Sequence, residues 1–156
     1  MNKRLRRNLL LLVLLSVVGI LVYFVLRASE NNRQILQSNL ARAISQNQAG
    51  EIPVVDFASI TTFSWDRLYI FGPYTSSEKI DSNLGSFWIG SRFTSIKSND
   101  RITLLVFTKN GRVVQYLEFP RGQGDFSPAD NGKGYAIEES KFLVDESGRM
   151  IWADNK

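Results

Sequence analysis

The 156-residue chain contains neither cysteine nor histidine. The first absence excludes disulfide frameworks, lipoprotein anchoring through a cysteine and thiol nucleophiles. The two together exclude Cys/His zinc sites, haem held by His and every scheme that uses imidazole as the base. A charge switch near neutral pH through His is excluded as well. Basic surface is also scarce. The formal charge is +4, but Lys3, Arg4, Arg6 and Arg7 supply four of the nineteen basic residues, leaving fifteen against fifteen acidic ones. A phosphate-binding domain needs a basic surface of its own, so no nucleic-acid partner is expected. No cofactor and no metal site are expected either.

What the chain has in excess is one apolar run. Leu9 to Leu26, LLLLVLLSVVGILVYFVL, is eighteen uncharged residues. As a helix it would extend roughly 27 Å, close to the hydrocarbon thickness of a bilayer. Four cations precede it, whereas Arg27 and Arg33 behind it are partly offset by Glu30. The positive-inside rule then puts residues 1–8 in the cytoplasm and the remainder outside, in the cytoplasmic membrane as a single-pass protein. The competing reading is a cleaved signal peptide with Ala28 before the cut. Bulky Leu26 and a run longer than a usual signal core favour a retained anchor.

Residues 27–50 read as a helical stalk. Leu36, Leu40 and Ile44 recur at i, i+4 and i+8 with Ile35 beside them, a narrow apolar stripe that ends near Ala49 and Gly50, ahead of Pro53. The stripe lacks sustained heptads, so packing on the chain's own domain is expected, with self-association through the stalk as the alternative.

Residues 51–156 change to strand patterning. Ile102 to Thr108 and Arg112 to Phe119 flank Asn110-Gly111, the pair that tolerates positive φ at both central positions of a type I′ hairpin. The first strand is apolar on both faces and calls for cover on both; the second carries Gln115 and Glu118 and belongs nearer an edge. A second hairpin is expected from Lys141 to Val144 and Arg149 to Trp152. The fold class is α+β: a transmembrane helix and stalk, then a small antiparallel sheet domain with one short helix.

The aromatic stretch Thr62 to Ile80, TFSWDRLYIFGPYTSSEKI, holds the first candidate site. Read as one strand, Phe63, Trp65, Arg67, Tyr69 and Phe71 share a face, with the Arg67 guanidinium between Trp65 and Tyr69. Gly72 and Pro73 end it. Thr75 to Glu78 has capping-box spacing before a helix over 76–84 with Gly85 at its end. Asp66 is left over, and turn amides are its expected partners. Trp65, Asp66, Arg67, Tyr69 and Tyr74 form the candidate binding face, since Trp, Tyr and Arg dominate interface hot spots. The second candidate is Arg121 to Gly134, RGQGDFSPADNGKG, a surface loop with Arg121 and Phe126 as contacts.

Catalytic patterns fail. Gly132-Lys133-Gly134 lacks the rest of a phosphate loop, Asp125 and Asp130 do not space a calcium loop, and Glu138 and Glu139 point to opposite faces of a strand. Ser76 and Lys79 have S-x-x-K spacing without S-D-N or K-T-G. The run from Phe63 to Ile80 resembles small bacterial membrane-anchored or exported proteins carrying W-D-x-x-Y-x-F-x-P-Y-T before a short helix. That resemblance implies an autonomous envelope domain and transfers no activity. The expected function is a protein-binding or envelope-assembly module, not an enzyme, with the bilayer and an unidentified envelope protein as partners. The alternative is an immunity-type inhibitor of a toxin at the membrane.

Overall fold

The computed structural model describes residues 3–45 and 53–153, so the expected stalk end at Ala49 and Gly50 lies outside the described residues. The chain divides into two compact units, Met1–Asn32 and Arg33–Lys156. The first is helical, part of helix α1 (Lys3–Ser45), and every side chain from Leu9 to Leu26 is exposed. Among the described residues there is one helix, at the N-terminus, long and apolar enough to cross a membrane.

The second unit opens with the rest of α1. Leu36 and Leu40, one helical turn apart, are fully buried in its core, so this part of the stripe packs on its own domain. Asn39 adds a polar tie, donating to the Ile60 carbonyl at 3.0 Å. Strand β1 (Val54–Asp56) leads into the single turn α2 (Phe57–Ile60), capped by the Asp56 carboxylate on the Ala58 amide. There follow β2 (Arg67–Phe71), α3 (Ser77–Leu84), β3 (Ile102–Lys109), β4 (Arg112–Pro120), β5 (Tyr135–Ala136), β6 (Lys141–Val144) and β7 (Met150–Trp152). They form two antiparallel sheets, β4-β3-β2-β5 and β1-β6-β7.

Strand β3 is buried from Ile102 to Thr108 because the larger sheet is covered on both sides. Leu105 and Phe107 join Leu68, Ile70, Leu117 and Phe119 in one core, while Leu104 and Val106 join Phe71, Ile80 and Ile96 in the other. The period-2 alternation thus divides one apolar run between two cores. The β3–β4 hairpin turns at Asn110 (φ 52°) and Gly111 (φ 71°), the left-handed pair its sequence demands, and β4 lies at the sheet edge. The expected second hairpin is β6–β7. Its sheet is separate, completed by β1 from far earlier in the chain.

Two expectations need correction. The aromatic stretch is not one strand from Phe63: β2 begins at Arg67, so alternation cannot be extended back across residues 63–66. Trp65 packs with Leu68 and Ile70, whereas Tyr69 and Phe71 pack on the opposite side of the sheet. Helix α3 is capped by Ser76, whose hydroxyl accepts from the Lys79 amide at 3.2 Å. Thr75 instead donates its hydroxyl to the Gly72 carbonyl at 2.7 Å, steadying the turn ahead of the helix. Gly85 closes α3 in the left-handed conformation, as its place in the sequence predicts.

Candidate functional site

Asp66, Arg67 and Tyr69 do come together. With Thr108 and Gly111 they line an open depression of about 300 Å³ beside the β3–β4 turn. Its charged groups are already engaged by the fold. The Asp66 carboxylate accepts from the Asn110 amide at 2.6 Å and from the Thr108 hydroxyl at 3.3 Å, holding the hairpin turn. Arg67 donates to the carbonyls of Lys133 at 3.3 Å and Gly134 at 3.2 Å, fixing the end of the Arg121 to Gly134 segment against β2. It does not stand between Trp65 and Tyr69. Tyr69 stacks on Phe71 with ring planes 5° apart and lies against Gly134, where an added Cβ would fall 3.0 Å from its ring.

Trp65 is not part of this surface. It is 5% exposed, meets Phe107 edge-on at 5.3 Å between ring centres, and donates its indole N–H to the Thr61 hydroxyl at 2.8 Å. A large aromatic with its one polar atom satisfied internally is a core residue. Phe126 is likewise fully buried, packed against Phe57, Phe119 and Phe142. Both are therefore removed from the candidate contact surface. The loop around Phe126 is built around its ring.

Asp125 organises that loop. Its carboxylate takes a two-pronged contact from Arg121, at 2.9 Å from Nε and 2.6 Å from Nη2, and accepts from the amide and hydroxyl of Ser127. Its backbone N–H donates to Gly148 at 2.9 Å, and its carbonyl accepts from Met150 at 2.8 Å. Burial pushes the Asp125 carboxyl up, but the Arg121 guanidinium and the Ser127 donors outweigh it and hold the carboxyl at about 2. Arg121 also donates to the Asp100 carbonyl at 2.8 Å. Arg121 is thus a clasp, with its charge paired inside the loop. Nearby, Tyr135 donates to the Ala129 carbonyl at 2.6 Å, and burial first, then Asp130 and Glu139, raise its hydroxyl to about 12.

Tyr74 is the one aromatic among the predicted contact residues that stands clear, 66% exposed at a turn where its own φ is 63°. Its backbone N–H donates to Ile96, so the strain is held by a hydrogen bond at 2.8 Å.

The sequence reading passed over Ser86 to Phe93, SFWIGSRF. Here Phe87 is 68% exposed, Ile89 58% and Phe93 81%. The signal was four large apolar residues in eight positions with neither period 2 nor period 3.6, which marks apolar side chains outside regular structure. Among the described residues no group of three or more acidic side chains converges in a way that would hold a metal ion.

No family model, curated protein or solved structure matches this chain. The site must therefore be read from its own geometry.

Proposed function

We propose that this chain is a single-pass membrane protein, N-terminus in the cytoplasm, whose extracytoplasmic domain is a protein-binding or envelope-assembly module. One contrast carries the reading. The charged ends of Asp66, Arg67, Arg121 and Asp125 hold backbone or one another, while the large ring of Tyr74 faces solvent. Catalysis needs polar groups free to meet a substrate, whereas recognition can run on exposed aromatic area with a few polar partners. The uncovered apolar helix and the four cations before it support the anchor and its orientation.

The test is photo-crosslinking in intact cells that produce the full chain. A benzophenone side chain in place of Tyr74 or Tyr69 is expected to give one discrete adduct with a second protein, and the same probe at Glu146 none. Absence of any adduct at Tyr69 and Tyr74, or turnover of ester, peptide or glycoside substrates by the purified chain, would sink the proposal.

A further inference from the structure

We propose that the Ser86 to Phe93 loop is a second membrane contact: Phe87, Ile89 and Phe93 insert into the interfacial region of the bilayer that the N-terminal helix spans. The loop has the build of a small insertion device. Its polar atoms turn inward onto Asp81, whose carboxylate accepts from the Trp88 amide at 3.1 Å and the Ser91 hydroxyl at 3.2 Å and pairs with Arg92. The buried Ser77 hydroxyl donates to the Ser91 carbonyl at 3.0 Å. The Trp88 indole folds over Gly90 so closely that an added Cβ would fall 2.4 Å from the ring. A short 3-10 turn, Ile89–Arg92, results, and the apolar side chains it cannot bury face outward. Phe87 lies under the Arg92 guanidinium at 4.4 Å, which gives the loop a cation beside its aromatic tip.

The occupant follows from where the loop sits within its unit. Trp88 packs edge-on against Tyr116 at 5.2 Å, and Arg33 lies over the other partner of that contact, its guanidinium 4.3 Å from the Tyr116 ring centre. Arg33 also donates to the Tyr116 carbonyl at 3.2 Å. Arg33 is the first residue of the unit, so the loop lies two ring contacts from the place where the chain joins the domain. Only six residues lie between Leu26, the last residue of the apolar run, and Arg33. Even fully extended, the seven steps from Leu26 to Arg33 reach roughly 25 Å, so covalent connection limits how far the entry point of the domain can stand from the end of the apolar run. Aromatic side chains favour that boundary, and a tether removes most of the entropic cost of reaching it.

This inference needs the anchor of the proposed function but not its protein partner. The chain lacks cysteine, so single-cysteine variants carry a probe at one place only. The full chain is reconstituted into vesicles of phosphatidylethanolamine and phosphatidylglycerol. An environment-sensitive dye is attached at Phe93→Cys, Ile89→Cys, Leu15→Cys or Glu146→Cys, and quenching by spin-labelled lipids is read. Phe93 and Ile89 are exposed, so these substitutions leave the core intact, which an unchanged circular dichroism spectrum checks. Dyes at 89 and 93 are expected to be quenched severalfold more than at 146, at an interfacial depth of about 5–10 Å, with the dye at 15 deeper. Quenching at 15 with none at 89 and 93 overturns the inference alone. No quenching at 15, 89 or 93 overturns the anchor with it. Disulfide formation between copies through Phe93→Cys, without lipid quenching, assigns the loop to a second copy of the chain and overturns the lipid contact.

Discussion

Replacing Asp125 by Asn tests the clasp of the Arg121 to Gly134 loop. Asn keeps the shape of the side chain and one accepting oxygen, so the variant removes the charge and turns one of the two acceptors into an N–H donor. In the native chain the carboxyl titrates at about 2 against an ordinary 3.8. That interval corresponds to about 2 kcal/mol of folding stability by linkage. The Arg121 side chain is 34% exposed, against 18% for Asp125, so water screens part of the interaction and about 1–2 kcal/mol is expected. The sign follows from the direction. The folded value lies below the unfolded one, so the contribution is fully present above the unfolded value and is lost as pH falls toward the folded value of about 2. Urea unfolding of the full chain in detergent, followed by circular dichroism for wild type and Asp125→Asn, should show the gap at pH 7. The gap should close progressively between about pH 5 and pH 2. A gap that is the same at both ends of that range, or absent at neutral pH, would refute the carboxylate's role. Faster hydrogen exchange at the Ser127 and Met150 amides in the variant would locate the loss, since both meet Asp125 directly.

Other consequences concern the core and the backbone. Trp65→Ala should cost about 3–5 kcal/mol, as truncation of a buried aromatic does. Thr61 keeps a partner for its hydroxyl, the Phe57 carbonyl at 2.9 Å, so the loss is one of packing. A change below about 1 kcal/mol in the same unfolding experiment would return Trp65 to the surface. Gly134→Ala should be more damaging than Gly85→Ala. Both have positive φ, but an added Cβ at Gly134 falls 2.9 Å from the Leu68 carbonyl, whereas Gly85 faces open space. The expected costs are about 2–3 kcal/mol and about 1 kcal/mol, and equal losses would contradict the close approach.

Several of these features could be read from the chain because they rest on local rules. Asn110-Gly111 fixes its hairpin through backbone sterics, Gly85 ends α3 for the same reason, and the double-sided apolarity of β3 called for two cores. The readings that failed needed tertiary information. Alternation placed Trp65 with Tyr69, yet the strand starts at Arg67, and ahead of it the chain bends so that the indole enters the opposite core. Phe126 looked like a loop contact because its neighbours are Gly, Ser, Pro and Asp; the aromatic cluster of Phe57, Phe119 and Phe142 that encloses it comes from distant segments. The three-residue β1 carries too little pattern to announce that it pairs with β6, nearly ninety residues later. Asp66 was expected to take turn amides, and it does, though the amide belongs to Asn110 across the sheet and not to its own turn.

In the proposed topology the anchor is retained and the domain lies outside. Single cysteines at Asn8 and Ser147, probed with a membrane-impermeant maleimide that adds a defined mass, test both together. In intact spheroplasts Ser147→Cys should be labelled and Asn8→Cys protected; after permeabilisation Asn8→Cys should be labelled on protein of full-length mass. Labelling of Asn8→Cys from outside, protection of Ser147→Cys, or a mature protein that has lost residue 8 would contradict it.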